Sequence, residues 1–156
     1  MAAARDRIFA VRAATALALV LAAANSASSF ELITSTEAAL PAAPVLSLQL
    51  RGSPTRRPAV VIVSPPPTAG QLNSPLDLKL QFQAFGGATI DPSTVVVTYL
   101  KQPAIDLTQR LTPFITAQGI DIPQAQVPPG KHQFWIELKD NEGRIGGGAF
   151  SFQVGQ

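Results

Sequence analysis

The stretch Gly130–Val154 reads GKHQFWIELKDNEGRIGGGAFSFQV, and its pattern decides the fold. His132, Phe134, Ile136 and Leu138 share one face, with Trp135 on the other, the two-residue period of a strand. Asp140, Asn141, Glu142 and Gly143 interrupt the pattern, and Ala149 to Val154 resume it. Asp and Asn tolerate turn conformations and bond their own backbone, and glycine takes positive φ at no steric cost. The stretch therefore predicts a β-hairpin with a four-residue acidic corner.

The rival reading of that corner is chemical. Asp140, Asn141 and Glu142 offer oxygens to Ca²⁺, with Asp91 and Asp121 as contributors from other loops. Calcium takes about six to eight oxygen ligands, and the corner alone supplies half of that. A structural turn is the better reading. His132, just after Gly130, is expected to hold the corner by a ring-nitrogen bond back to the loop, as tyrosine does in sandwiches. It is the sole histidine, so a multi-histidine metal site is excluded. Ser93 and Ser151 are the nearest thing to nucleophiles, but no nucleophile motif surrounds them. Gly146-Gly147-Gly148 leads into a strand instead of the helix a phosphate cradle needs, and predicts a bulge or a permissive turn.

Outward from the hairpin, Leu76, Leu78, Leu80, Phe82 and Ala84 alternate with Asp77, Lys79, Gln81 and Gln83. Thr94–Leu100 places Val95, Val97 and Tyr99 on one face, and Ala59–Val63 is a short apolar run before Pro65. Ile105 and Leu107 suggest a short strand, Thr108–Leu111 one helical turn, and Gly119–Ile122 a further strand. With no helix of useful length and no βαβ alternation, about seven short strands predict an all-β, antiparallel sandwich over 58–156.

The remaining chain divides into two. Arg5, Arg7 and Arg12 precede an apolar run from Ala13 to Ala24 and small residues at Ala22, Ala24 and Ala27, the layout of a secretory signal peptide over 1–27. The run is shorter than the roughly 20 residues that span a bilayer, so no membrane span is expected after cleavage. Residues 28–57 are rich in Pro, Ala and Ser and read as a linker, in which Val45–Leu50 alternates like an edge strand. Taking the three arginines and Asp6 from the twelve basic and ten acidic residues leaves nine of each. That balance argues against a nucleic-acid surface. The absence of cysteine excludes disulfides, thiolate catalysis and Cys-ligated clusters.

Several of these pieces resemble bacterial immunoglobulin-like (Ig-like) domains: Ser64-Pro65 with Gly70, PLDLKLQF, IDPSTVVVTYL, PPGKHQFWIELKDNEGR and FSFQV. The resemblance covers about 58–156 and implies an exported immunoglobulin-like β-sandwich used as a spacer, adhesion or binding module, with no catalytic residues. A narrower likeness is to periplasmic copper-binding proteins of the CopC type, through the opening Ser-x-Pro turn and the closing strand frame. Their histidine ligands are missing here, since Arg144 and Ile145 follow the corner.

The expectation is therefore a non-catalytic binding or structural module, periplasmic or secreted, with no cofactor and no metal. Its partner is an unidentified protein or envelope polymer. Trp135 and Phe85, aromatic residues on the face opposite their strands' core positions, either lie under a second packing layer, for which Val45–Leu50 is the candidate, or are the contact residues for that partner. The alternative is a periplasmic copper or calcium carrier.

Overall fold

Alternation and β-branching become strands throughout the described residues, 29–43 and 56–155, of the computed structural model. In chain order the strands are β1 (Phe30–Glu31), β2 (Ala59–Ser64), β3 (Gln71–Leu72), β4 (Leu76–Gln83), β5 (Ile90–Tyr99), β6 (Ile105–Asp106), β7 (Gly119–Gln126), β8 (Gly130–Asp140) and β9 (Ile145–Val154). Two one-turn helices, α1 (Ser35–Ala38) and α2 (Thr108–Leu111), complete the elements, with a 3-10 turn over Thr112–Phe114. The chain is all-β and sandwich-like. One sheet runs β1-β7-β4-β2 and the other β3-β9-β8-β5-β6.

The expectation of a purely antiparallel sandwich is corrected. β1 pairs with β7 and β3 with β9 in parallel, so both sheets are mixed. These two-residue strands are also what raises the expected seven strands to nine. Neither is long enough to show a period in the sequence.

Between the sheets lie the positions that alternation marked. Leu78, Leu80, Val95, Val97, Tyr99, Phe134, Ile136 and Leu138 are all buried. Fully burying one such side chain stabilises the fold by about 1.5–3 kcal/mol. Phe134 stacks on Phe150 with ring centroids 4.7 Å apart, tying β8 to β9 through the core.

The linker expected over 28–57 is corrected in its first half. Leu32 and Ile33 are 1% exposed and belong to the core, and residues 29–43 form a strap along one side of the sandwich. A capping box starts α1: the Glu37 amide donates to Thr34 Oγ1 (3.2 Å) and the Thr34 amide to Glu37 Oε2 (2.8 Å). Two cations then bind the strap. Arg110 of α2 donates to the Leu32 carbonyl (2.7 Å) and forks onto both Glu37 oxygens at 3.0 and 2.8 Å. Lys101 Nζ donates to the carbonyls of Ala38 (2.7 Å) and Leu40 (2.9 Å). The signal peptide over 1–27 and the Val45–Leu50 strand lie outside the described residues.

On the opposite side the two sheets meet at β2 and β9. A Cβ on Gly146 would collide with the Pro58 carbonyl, and one on Gly147 with the Ile136 carbonyl. The β8–β9 register is unbroken from Gly130↔Val154 to Lys139↔Ile145. The glycine run is therefore neither bulge nor turn. It lets backbone approach backbone where the sandwich closes.

Candidate functional site

The acidic corner is consumed by its own hairpin. Asp140 Oδ1 accepts the amides of Glu142 (3.0 Å) and Arg144 (2.9 Å), and Oδ2 accepts Arg144 Nε at 2.7 Å. The carboxyl side chain is completely covered. Burial alone would raise its pKa, but the Arg144 and backbone bonds outweigh that and hold it below the usual carboxylate value. Gly143 sits at φ +77°, the left-handed value its position in the turn requires. Asn141 turns its side-chain oxygen to the Thr89 amide (3.0 Å), so the corner also ties down the β4–β5 loop.

The acids named as extra ligands go elsewhere. Asp91 bonds the amide and hydroxyl of Ser93, and Asp121 pairs with Lys79 at 2.8 Å on the other sheet. His132 stands eight residues from Asp140 on β8, about 27 Å along the strand. Among the described residues no group of three His, Cys, Asp or Glu side chains is placed to hold a metal ion.

His132 holds its corner as expected: Nε2 bonds the Pro128 carbonyl, four residues upstream, at 2.9 Å. A carbonyl only accepts, so Nε2 carries the proton and Nδ1 accepts from the Tyr99 hydroxyl at 2.8 Å. Burial lowers the His132 pKa most, and the Lys101 charge lowers it further against the pull of the Pro128 bond. Burial, then the Glu37 charge, lifts the Tyr99 hydroxyl from 10.0 to about 12. Both ring nitrogens are engaged and the residue is 1% exposed, so the imidazole acts as an internal strut. Tyr99 was legible as core but not as this partner, since nothing in the sequence relates residues 99 and 132.

The two aromatic candidates fall in different places. Trp135 is partly exposed at mid-strand on the outer face of the five-stranded sheet, with Thr98 and Ala149 as its direct neighbours on β5 and β9. One step along the same face, Glu137 lies between Val96 and Gly147. In the other direction Gln133 lies opposite Ser151. Phe85 lies past the end of β4, 41% exposed, and its carbonyl accepts from Arg144 Nη2 at 2.9 Å. It belongs to the end of the sandwich that carries the acidic corner, five residues along β8 from Trp135, about 17 Å. The structure does not bring the two into one patch.

No family model matches the chain, and neither a curated protein nor a solved structure matches it. The geometry of the outer faces therefore carries the functional argument. One further concavity, of about 300 Å³, lies on the outer face of the four-stranded sheet, lined by Val63, Gln81, Thr116, Gln118, Lys79 and Asp121. A Cβ on Gly119 would collide with the Leu80 carbonyl, so the chain there must pass over β4 without a side chain. Sequence reading missed that concavity, because Gly119 signalled only the start of a strand.

Proposed function

We propose that the chain is an exported, non-catalytic Ig-like module that binds an envelope component through the Trp135 face. The observation that carries this reading is Trp135 itself: a large aromatic, partly exposed at mid-strand in the five-stranded sheet, with only Thr98 and Ala149 directly opposite it. Indole left at a surface is the side chain most enriched where binding energy concentrates. The non-catalytic part of the reading is supported by the commitment of His132 and Asp140 to internal bonds. Export is supported by the basic and apolar pattern of residues 1–27, and the Ig-like assignment by the motifs from Ser64 to Val154.

The test places a photo-crosslinking residue at Val96, which is 41% exposed and beside Trp135. The exported chain is then irradiated in intact cells. The reading expects one defined envelope adduct, lost in Trp135→Ala and retained in Phe85→Ala. An adduct pattern indifferent to Trp135→Ala would overturn it.

A further inference from the structure

We infer that the chain pairs with a second copy of itself along the open edge of β9, a surface that goes beyond the binding face proposed above and does not rest on it. Main-chain geometry decides what that edge presents. The Leu100 amide donates to the Gln133 carbonyl at 2.8 Å, so Gln133 turns its main-chain groups toward β5. Its neighbour on β9 is Ser151, and in such a non-hydrogen-bonded antiparallel pair both residues point away from each other. The register stays unbroken to Lys139↔Ile145. By alternation Ile145, Gly147 and Ala149 also turn their N–H and C=O groups away from β8. β3 takes up this edge only at Gln153 and Val154, and the Pro65–Ala69 connection lies beside Ser151. Among the described residues no main-chain group bonds Ile145, Gly147 or Ala149 on that side.

An open row of donors and acceptors is a template for another strand, and proteins blunt such rows with proline, charge or a bulge. The other long strands with an open stretch follow that rule. β5 carries Asp91 and Pro92 and shifts register before Val96. β7 carries Asp121 and Pro123, and β2 shifts register between Ile62 and Ser64. From Ile145 to Ser151, β9 has no proline, no charge and no shift.

The makeup of the run selects the partner. An edge that pairs with itself brings like charges together across its two-fold axis, which is destabilising, and this run has none to bring. Antiparallel pairing about Gly147 sets Ile145 opposite Ala149 of the second copy, a large side chain beside a small one, on both sides of the axis. Both residues are exposed in the single chain. The core-side positions between them are Gly146 and Gly148, which place no side chain between the two sandwiches. The three residue pairs exchange about six main-chain hydrogen bonds. The two five-stranded sheets then join into one, with their outer faces turned the same way.

A contact this short is weak, so the exported chain is followed by sedimentation equilibrium from about 10 µM to about 1 mM. The inference expects a dimer whose fraction rises with concentration over that range. Ala149→Pro deletes an outward N–H and spares the β8 ladder. It is expected to weaken the dimer at least tenfold and to leave the melting temperature nearly unchanged. Introduced cysteines read the register, since the chain has none of its own. Positions 145 and 149 lie about 13 Å apart within one chain, and about 5.5 Å apart between Cα atoms across the axis, within disulfide reach. The double variant Ile145→Cys/Ala149→Cys is expected to oxidise to a covalent dimer, with at least tenfold less from either single variant. A monomer at every concentration overturns the inference, as does a dimer that Ala149→Pro leaves intact. A monomer that Ala149→Pro destabilises has an edge already covered by the chain's own residues, and overturns it too. If Ala149→Pro does not fold, the cysteines decide: a covalent dimer confined to the double variant sustains the pairing. No covalent dimer, or equal yields from the single variants, overturns it.

Discussion

His132 shows how one residue reads differently in a sequence and in a fold. A lone histidine beside an acidic turn invites a catalytic or metal reading, yet here its ring joins Tyr99 to Pro128 and never meets the acids. Replacing it by Phe leaves the buried Tyr99 hydroxyl without its acceptor, which costs about 1–3 kcal/mol. Urea denaturation at pH 7.5 checks that loss. The pH dependence follows from the lowered pKa. The fold prefers the neutral ring, so its contribution is complete above the ordinary value of 6.5 and is lost as pH falls from there toward the lower folded value. Melting temperature is expected to decline between pH 7 and pH 5 in the wild type, with a smaller decline in His132→Phe. A second acid-side loss belongs to Glu37, which the Arg110 bond pulls from 4.5 to about 2. Its contribution is present above 4.5 and disappears as pH approaches 2, in His132→Phe as in the wild type.

Among the elements, those with a long period were legible and those held by distant partners were not. β4 and β8 announce themselves because apolar side chains recur at every second position over eight and eleven residues. The hairpin corner was legible because its turn chemistry is local. The strap was hidden by composition: proline and alanine around it read as linker, while the burial of Leu32 and Ile33 depends on β7 and α2, far along the chain. One local signal did point to α1, the Thr34-Ser35-Thr36-Glu37 spacing of a capping box. Arg110→Ala is expected to release that helix, seen as faster amide exchange at Ala38 and Ala39 with little change in β8. The glycine run gives a sharper test. Gly146→Ala forces a methyl against the Pro58 carbonyl and is expected to cost about 1–3 kcal/mol or more. At Gly148 an added Cβ meets the Val60 side chain at 3.7 Å, an ordinary contact, so Gly148→Ala is expected to leave the melting temperature nearly unchanged. Equal effects at both positions would show that the close approach does not set the glycine requirement.

At the scale of the whole molecule, the two long sides of the sandwich are closed by different means. β2 lies against β9 on one side, while the strap and α2 cover the other. Leu32→Ala tests whether the strap is integral. Removing that buried side chain is expected to cost about 2–5 kcal/mol with unfolding still in a single transition. A loss of under about 0.5 kcal/mol would place the strap outside the cooperative unit.

The parallel pairs at both ends of the chain also impose an order of events. Phe30 aligns with Ala125, and Leu72 with Val154, so each of these two-residue strands waits for a partner far downstream in the sequence. Contacts so distant in sequence form slowly. Until β9 is in place the five-stranded sheet lacks the member that joins β3 to β8, whereas the four-stranded sheet needs nothing beyond β7.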